Sequence, residues 1–275
     1  MQPDDSNAPD PACVRRRFDR AAATFDDAAV LHDRVRAQLL ERLELVDLDP
    51  RAVLDVGAGT GRALAPLRQR FRRAQLFAVD SSQAMLDRLP RTRLGFKPRR
   101  VTALRADAAA LPFDDASVDV VFSNLCLPWC PDPDAVIGEF RRVLRPRGLL
   151  LFSALGPDTL REVRTAWDDD GAHVHRFFDM HDIGDALVRN GLGEPVLDVE
   201  RYTLTYPDAA ALFTDLRAVG GRNAAKGRPA GLTGVKRFDR FVTALNDGRR
   251  DGRLAVTVET VFGTRQCPAL GIELG

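Results

Sequence analysis

The chain of 275 residues lacks several features that would assign it to a specialised class. It has no run approaching the roughly 20 consecutive apolar residues that span a bilayer, so no membrane segment is expected. Its four cysteines are too few and too scattered for a disulfide framework. No histidines lie at zinc-ligand spacing around Cys126 and Cys130. These absences favour a protein of the reducing cytoplasm that holds no metal.

An excess of charge of one sign is also absent. The 40 Lys and Arg residues nearly balance the 39 Asp and Glu residues, and the formal net charge is +1. Such a chain has no overall field that would attract nucleic acid or an anionic membrane, and we expect neither as a partner. The first dozen residues, MQPDDSNAPDPA, lack the basic start and the apolar run of a secretory signal. Export by that route is therefore not expected.

Short apolar runs alternate with amphipathic stretches through the middle of the chain. Strands are predicted at residues 52–56, 75–79, 101–105, 118–123, 149–153 and 196–204. Helices are predicted at residues 62–71, 82–89, 134–144, 159–167 and 180–190. Strands that alternate with helices imply a mostly parallel, doubly wound α/β sheet.

The segments that flank this alternation are less regular. Apolar residues at helical spacing from Cys13 to Val46 predict two helices before the first strand. The LRPRG segment at 144–148 predicts a helix end and a turn, because Pro and Gly interrupt helical hydrogen bonding. Strand-like residues 254–263 are expected to pair at the sheet edge. The predicted organisation is a disordered tail (1–12), N-terminal helices (13–47), a core (48–206), a helical lid insertion (207–252), and a final strand with a tail (253–275).

The segment LDVGAGTG, residues 54–61, carries the strongest motif of the chain. Glycines between a strand and a helix let the backbone pass close beneath a flat ligand, and the helix start offers free N–H groups. A bare G-x-G-x-G is also compatible with NAD, with FAD or with a tight turn. The pyrophosphate fingerprint, however, is G-x-G-x-x-G/A, whereas the third glycine here comes one position earlier and Asp55 precedes the loop.

This pattern resembles the first motif of class I methyltransferases that use S-adenosylmethionine. The resemblance implies a Rossmann-like methyltransferase sheet in which Asp55 attracts the ammonium group of the cofactor, directly or through water. Asp80, at the end of the second predicted strand, is suited to accept hydrogen bonds from the ribose hydroxyls. Asp107 resembles the residue that receives the adenine amino group. The predicted cofactor-binding residues are Asp55, Gly57, Ala58, Gly59, Gly61, Asp80, Ser81, Met85, Asp107, Ala108 and Asn124.

Two later segments discriminate between families of this class. They are FFDMHDIGDALVRNGLGEPVLDVERYTLTY at 177–206 and GGRNAAKGRPAGLTG at 220–234. Together with RRRFDRAAATFDDAAVLHDRVRAQLLERL near the start, they are similar to the malonyl-acyl-carrier-protein O-methyltransferase family of biotin synthesis. The similarity covers nearly the whole chain. The chain departs from the family at Phe25, where a tyrosine is usual, and at Pro128, where a glutamine is usual.

The resemblance implies methyl transfer to the free carboxylate of a malonyl thioester, malonyl-acyl carrier protein or malonyl-coenzyme A, which gives the methyl ester that starts biotin precursor synthesis. A carboxylate with a pKa of about 4 is already ionised at neutral pH, so no catalytic acid or base is expected. Arginine is the natural bidentate partner of a carboxylate. The predicted substrate-binding residues are Phe25, Trp129, Arg201, Arg222 and Arg228.

An acidic carrier protein calls for a basic docking surface, for which the chain offers Arg15–Arg17, Arg68–Arg73, Arg91–Arg100 and the predicted lid.

Two other functions remain open. One is the S-adenosylmethionine-dependent hydroxylation of a partner's arginine by a complex I assembly factor, since that related family has a similar C-terminal region. The other is a non-catalytic cofactor-binding protein that docks a partner. Retention of the glycine loop and its three aspartates argues against a degenerate site.

Overall fold

The computed structural model describes residues 5–44, 46–90, 101–169, 171–229, 231 and 233–267. Within these ranges one sheet contains seven strands in the order β3-β2-β1-β4-β5-β7-β6. The strands are β1 (Ala52–Val56), β2 (Gln75–Asp80), β3 (Thr102–Arg105), β4 (Val118–Asn124), β5 (Leu144–Leu155), β6 (Val196–Tyr206) and β7 (Leu254–Gln266). Neighbouring strands from β3 to β5 pair in parallel, and β7 pairs antiparallel with both β5 and β6.

Helices cover both faces of the sheet. They are α1 (Pro11–Ala21), α2 (Phe25–Ala28), α3 (Val30–Glu44), α4 (Leu64–Arg70), α5 (Gln83–Leu86), α6 (Pro133–Val143), α7 (Arg161–Ala166), α8 (Met180–Arg189), α9 (Ala209–Ala218) and α10 (Val235–Asp247). On one face Leu39 and Leu67 pack in a core with Phe122 of the sheet. On the other face Phe140 and Leu187 form a second core. The predicted doubly wound, mostly parallel α/β fold is therefore confirmed.

Aspartates begin four of these helices. The side chains of Asp10, Asp132, Asp179 and Asp208 accept hydrogen bonds from backbone N–H groups in the first turns of α1, α6, α8 and α9. An aspartate at this position satisfies donors that the helix leaves free, and each such cap contributes about 1 kcal/mol. Local sequence therefore fixes where the helices that surround the sheet begin.

The structure corrects three local predictions. The N-terminal region has three helices instead of two, because a turn at residues 22–24 separates α1 from α2, and the Thr24 hydroxyl there donates to the Ala218 carbonyl at 2.9 Å. Residues 144–148 belong to β5, since Leu144 pairs with Val118 and the pairing then resumes after a bulge. The last strand is not at the sheet edge. It lies between β5 and β6, and its side chains are buried almost without interruption, whereas those of the edge strand β6 alternate in exposure.

The block predicted to be a lid packs at one end of the sheet. Phe241 of α10 and Leu212 of α9 share a core with Val256 of β7 and Val163 of α7. The chain then returns to the N-terminal segment, where Asp10 N–H donates to the Ala224 carbonyl at 2.8 Å. The block is thus tied to both the sheet and the N-terminal helices, and its function as a lid stays a prediction. No helix in the described ranges combines the length and the apolar character that crossing a membrane requires.

The packing of β5 on β7 gives a prediction about stability. Gly263 pairs with Phe152, and a Cβ atom at Gly263 would overlap the Phe152 ring, which is fully buried. We expect Gly263→Ala to lower the free energy of unfolding by about 1–3 kcal/mol, as overpacking does in other cores. Gly193→Ala is the matched control, since nothing lies within 4 Å of its Cβ position. Chemical denaturation that shows equal stability for the two variants would contradict the packing described here.

Candidate functional site

The glycine loop at the end of β1 is held against the end of β2. Gly57 N–H and Ala58 N–H both donate to the Val79 carbonyl, at 2.8 and 3.0 Å. Gly59 N–H donates to Oδ2 of Asp80 at 2.9 Å. Gly57 has a φ of +72°, and a Cβ there would lie 2.6 Å from Cβ of Cys126. Gly57 therefore permits a close approach of two loops, which a larger residue would prevent.

A cavity of about 500 Å³ lies above this loop, enclosed by the ends of β1, β2 and β4 and by the N-terminal helices. No atom of the described residues lies within 4 Å of a Cβ position at Gly59, which lines the cavity. Ten of the eleven predicted cofactor residues line it: Asp55, Gly57, Ala58, Gly59, Asp80, Ser81, Met85, Asp107, Ala108 and Asn124. Gly61 does not, because it packs beneath the loop, against Leu89.

Asp55 places an unpaired carboxylate at this cavity. The residue is 2% exposed, and its Oδ2 has no hydrogen-bond partner among the described residues. Burial, and secondarily the neighbouring Asp80 carboxylate, raises the pKa of Asp55 to about 7, while Arg36 opposes this. A buried carboxylate without a partner is costly, so the arrangement favours a ligand that brings positive charge. The ammonium group of S-adenosylmethionine fits this requirement.

Asp80 is the second buried acid of the cavity. Its two carboxylate oxygens accept from Gly59 N–H and from Ser82 N–H, the latter at 2.8 Å. Burial raises its pKa and these hydrogen bonds oppose the increase. Each oxygen keeps a lone pair that is free to accept from a ribose hydroxyl. Asp107 lines the same cavity at the end of β3, and its Oδ1 accepts from Ala109 N–H at 3.0 Å. These residues fit an adenosine cofactor.

Two of the predicted substrate residues also line the cavity. The Phe25 ring meets the His32 ring edge to face at 5.0 Å between centroids. Trp129 packs edge to face with Phe18 at 5.1 Å and lies 4.8 Å from the His175 ring. Both aromatic residues are thus walls of the cavity. The Phe25 ring occupies this position, and the hydroxyl of the tyrosine that is usual in the family is absent.

The structure does not bring the three predicted arginines to this cavity. Arg201 lies on the edge strand, where its guanidinium pairs with Glu259 at 2.8 Å and with Asp158 at 3.3 Å. Arg201 is therefore not placed to bind a substrate carboxylate in the cofactor cavity. Arg228 donates to the Ala225 carbonyl at 2.8 Å, and Arg222 lines a different cavity. Their spacing in the sequence gave no indication of these positions, because each is set by contacts with distant segments.

Three residues that line the cavity were not among the site residues predicted from the sequence. Arg15 of α1 and both His32 and Arg36 of α3 line it. Helical periodicity identified α1 and α3 but carried no signal for which face would meet the glycine loop. Of the predicted basic docking stretches, Arg15–Arg17 lies beside the cavity and Arg91–Arg100 lies outside the described residues. Docking across these stretches stays a prediction.

Two further cavities lie near the first. A cavity of about 280 Å³ shares His32, Leu125 and Trp129 with the cofactor cavity and is otherwise lined mainly by apolar side chains. A third, of about 270 Å³, adjoins the second at Leu160, Leu216 and Gly221. Within the described part of the chain, no group of three or more His, Cys, Asp or Glu side chains is arranged to hold a metal ion.

Known proteins resemble this chain in sequence. A family model described as a methyltransferase domain matches residues 54–152. A malonyl-acyl-carrier-protein O-methyltransferase from Methylovorus sp. (strain MP688) is 48% identical over 273 residues, which cover 96% of this chain and 92% of the relative. A protein of the same name from Laribacter hongkongensis is 47% identical, over 94% of this chain and 90% of its own. The chain belongs to the malonyl-acyl-carrier-protein O-methyltransferase family.

Solved structures agree with this family in fold. The YcgJ protein from Bacillus subtilis has a TM-score of 0.58 at 17% identity, over 85% of this chain and 98% of that one. The Haemonchus contortus phosphoethanolamine N-methyltransferase 2 in complex with S-adenosyl-L-methionine has a TM-score of 0.53 at 20% identity, over 84% of this chain and 52% of that one. The chain is a methyltransferase whose cofactor is S-adenosylmethionine. Membership of this family disfavours the hydroxylase and the non-catalytic alternatives.

The raised pKa of Asp55 predicts that cofactor binding releases a proton. A carboxyl group with a pKa of about 7 is roughly half protonated at pH 7 in the free protein. A bound cation favours the ionised form and lowers this pKa, so affinity should rise from about pH 6 to about pH 8. Calorimetry in buffers of different ionisation enthalpy measures the released proton. Asp55→Asn is the matched control and should bind more weakly without proton release. A wild-type protein that releases no proton would remove Asp55 from the cofactor site.

Proposed function

We propose that this chain transfers the methyl group of S-adenosylmethionine to the free carboxylate of a malonyl thioester, with malonyl-acyl carrier protein as the carrier, to give the methyl ester from which biotin precursor synthesis starts. The substrate assignment rests on one observation: a malonyl-acyl-carrier-protein O-methyltransferase is 48% identical to this chain over nearly its whole length. The cavities supply a place for both reactants. The second cavity meets the cofactor cavity at a junction formed by His32, Leu125 and Trp129.

This junction suits the acceptor carboxylate. Leu125 and Trp129 are apolar walls, which remove water from the nucleophile and so increase its reactivity. His32 lines both cavities, and its Nδ1 is buried without a hydrogen-bond partner among the described residues. Burial lowers the pKa of His32 to about 4, so the ring is neutral at neutral pH. A neutral imidazole carries one N–H donor, which we propose is offered to the acceptor carboxylate.

A neutral donor is better matched to this chemistry than an arginine. The carboxylate loses its negative charge as the oxygen takes the methyl group, so a cation beside it would stabilise the substrate more than the transition state. A neutral N–H group orients the carboxylate oxygen and stabilises the substrate, relative to the transition state, less than a cation would. When bound, S-adenosylmethionine supplies an electrophilic methyl group on a sulfonium. The chain's own residues align the two reactants and exclude water, and no side chain needs to remove a proton.

The proposed activity is tested with purified protein, methyl-labelled S-adenosylmethionine and either malonyl-coenzyme A or malonyl-acyl carrier protein. The expected product is a labelled ester on the thioester substrate that alkali hydrolyses. Free malonate and acetyl-coenzyme A are the controls, because the first lacks the thioester and the second lacks the free carboxylate. Labelling of neither malonyl thioester by a protein that binds the cofactor would overturn the proposal.

A second experiment addresses His32. We expect His32→Leu to lower kcat by about 10–100-fold, because one oriented hydrogen bond and the alignment that depends on it are lost. His32→Asn keeps an amide donor near the position of Nδ1 and should recover part of the rate. Cofactor affinity, measured by calorimetry, should change little in either variant. A His32→Leu enzyme with wild-type kcat would mean that the carboxylate is held elsewhere.

A further inference from the structure

Arg17 of α1 forms no ion pair with any side chain in the described ranges. Its Nη1 atom is buried and has no hydrogen-bond partner among the described residues. Burial lowers the pKa of Arg17, the Cys13 side chain opposes this, and Arg222, Arg228 and Arg16 lower the pKa further. A partly buried charge with like charges nearby costs stability unless a ligand neutralises it. Arg16, Arg17, Arg222 and Arg228 are called the arginine cluster below.

Backbone pairing brings these arginines together from the two ends of the chain. Pro9 and Ala225 form an isolated antiparallel bridge, and Lys226 N–H donates to the Ala8 carbonyl at 2.8 Å. The start of α1 therefore lies against the segment that carries Arg222 and Arg228. The pairing is built from main-chain groups, so it fixes the position of the side chains without using their charge.

The acid within this cluster is already engaged. Asp10 lies 3.6 Å from Arg228, and its other oxygen accepts from the N–H groups of Ala12 and Cys13 at the start of α1. Among the described residues this is the one ion pair that any member of the arginine cluster forms. One partly exposed carboxylate thus lies near two members of the cluster, Arg228 and Arg16. The remaining positive charge indicates an anionic ligand that comes from outside the chain.

The arginine cluster borders the third cavity through one of its members. Arg222 lines the third cavity, and so does His175, whose pKa burial lowers to about 4, with a further decrease caused by Arg17. The third cavity adjoins the second, and the second meets the cofactor cavity at the His32–Trp129 junction. A ligand bound along this route would have an anionic group at one end and its reacting group beside the cofactor.

We propose that the arginine cluster binds the phosphate of the phosphopantetheine arm that carries the malonyl thioester, with the arm lying in the third and second cavities. This inference rests on the proposed function. Guanidinium groups carry the charge opposite to that of phosphate and can bind it with two parallel hydrogen bonds. The pantetheine portion is a narrow chain whose methylene groups suit the mainly apolar second cavity, and its gem-dimethyl group lies next to the phosphate. The phosphate is common to coenzyme A and to the carrier protein, so both sources present the same group.

The test compares three small substrates that differ in phosphate: malonyl-pantetheine, malonyl-phosphopantetheine and malonyl-coenzyme A. For the wild-type enzyme we expect the two phosphate-bearing substrates to have a KM at least about 10-fold lower than malonyl-pantetheine. Arg17→Ala and Arg222→Ala should remove this difference. Arg17→Lys, which keeps charge and loses the planar fork, should recover part of it. Arg249→Ala is the matched control, since that exposed arginine follows α10 and hydrogen bonds only to the Asn246 carbonyl among the described residues.

The thermal midpoint separates ligand binding from a structural role. Removing an unpaired, partly buried charge should leave the thermal midpoint of Arg17→Ala unchanged or raise it, whereas loss of a structural contact would lower it.

Equal KM values of wild-type enzyme for malonyl-pantetheine and malonyl-phosphopantetheine would overturn the proposal. So would variants that slow only malonyl-acyl carrier protein, because the arginine cluster would then dock the carrier's surface. If wild-type protein methylates none of the thioesters, the proposed function fails, and calorimetric titration with coenzyme A tests the phosphate site independently.

Discussion

The hydrogen bond from Gly59 N–H to the Asp80 carboxylate is the contact on which the rest of the site depends. It ties the loop after β1 to the end of β2, so that the backbone of the loop forms one wall of the cofactor cavity. It also keeps the Asp80 carboxylate buried beside Asp55. Two acids in one buried site repel each other, and this repulsion gives the cavity its preference for a ligand with a cationic group and hydroxyl donors.

Charged and neutral groups are unevenly distributed over the three cavities. The predicted aspartates line the cofactor cavity together with Arg15 and Arg36, the neutral His32 lines both the first and the second cavity, and Arg222 lines the third. In the proposed reaction negative charge disappears from the reacting oxygen but persists on a remote phosphate. A neutral donor at His32 and a cation at Arg222 fit this difference, since a cation stabilises the substrate more than the transition state where charge is lost.

Two segments far apart in the chain complete the site. The N-terminal helices supply the faces of α1 and α3 that close the cofactor cavity, and the segment around Ala224 and Ala225 is held against them by main-chain pairing. Many methyltransferase folds share the central sheet, as the structural likenesses at 17–20% identity show. In this chain the parts of the cofactor cavity that lie outside the sheet come from the N-terminal helices, which the segment around Ala224 contacts.

The sequence by itself determined the alternation of strands and helices, the glycine loop, and the placing of Asp55, Asp80 and Asp107 near the ends of strands. Asp55 lies within β1, Asp80 ends β2 and Asp107 follows β3, and parallel strands bring these carboxyl ends to one edge. The sequence did not determine the place of β7 inside the sheet or the pairing of Arg201 with Glu259, since both depend on which strands become neighbours. Whether the nitrogens of His32 and Arg17 find partners was likewise decided only by the tertiary structure. Burial and the loss of hydrogen-bond partners are properties of packing between distant segments, and no local pattern of residues encodes them.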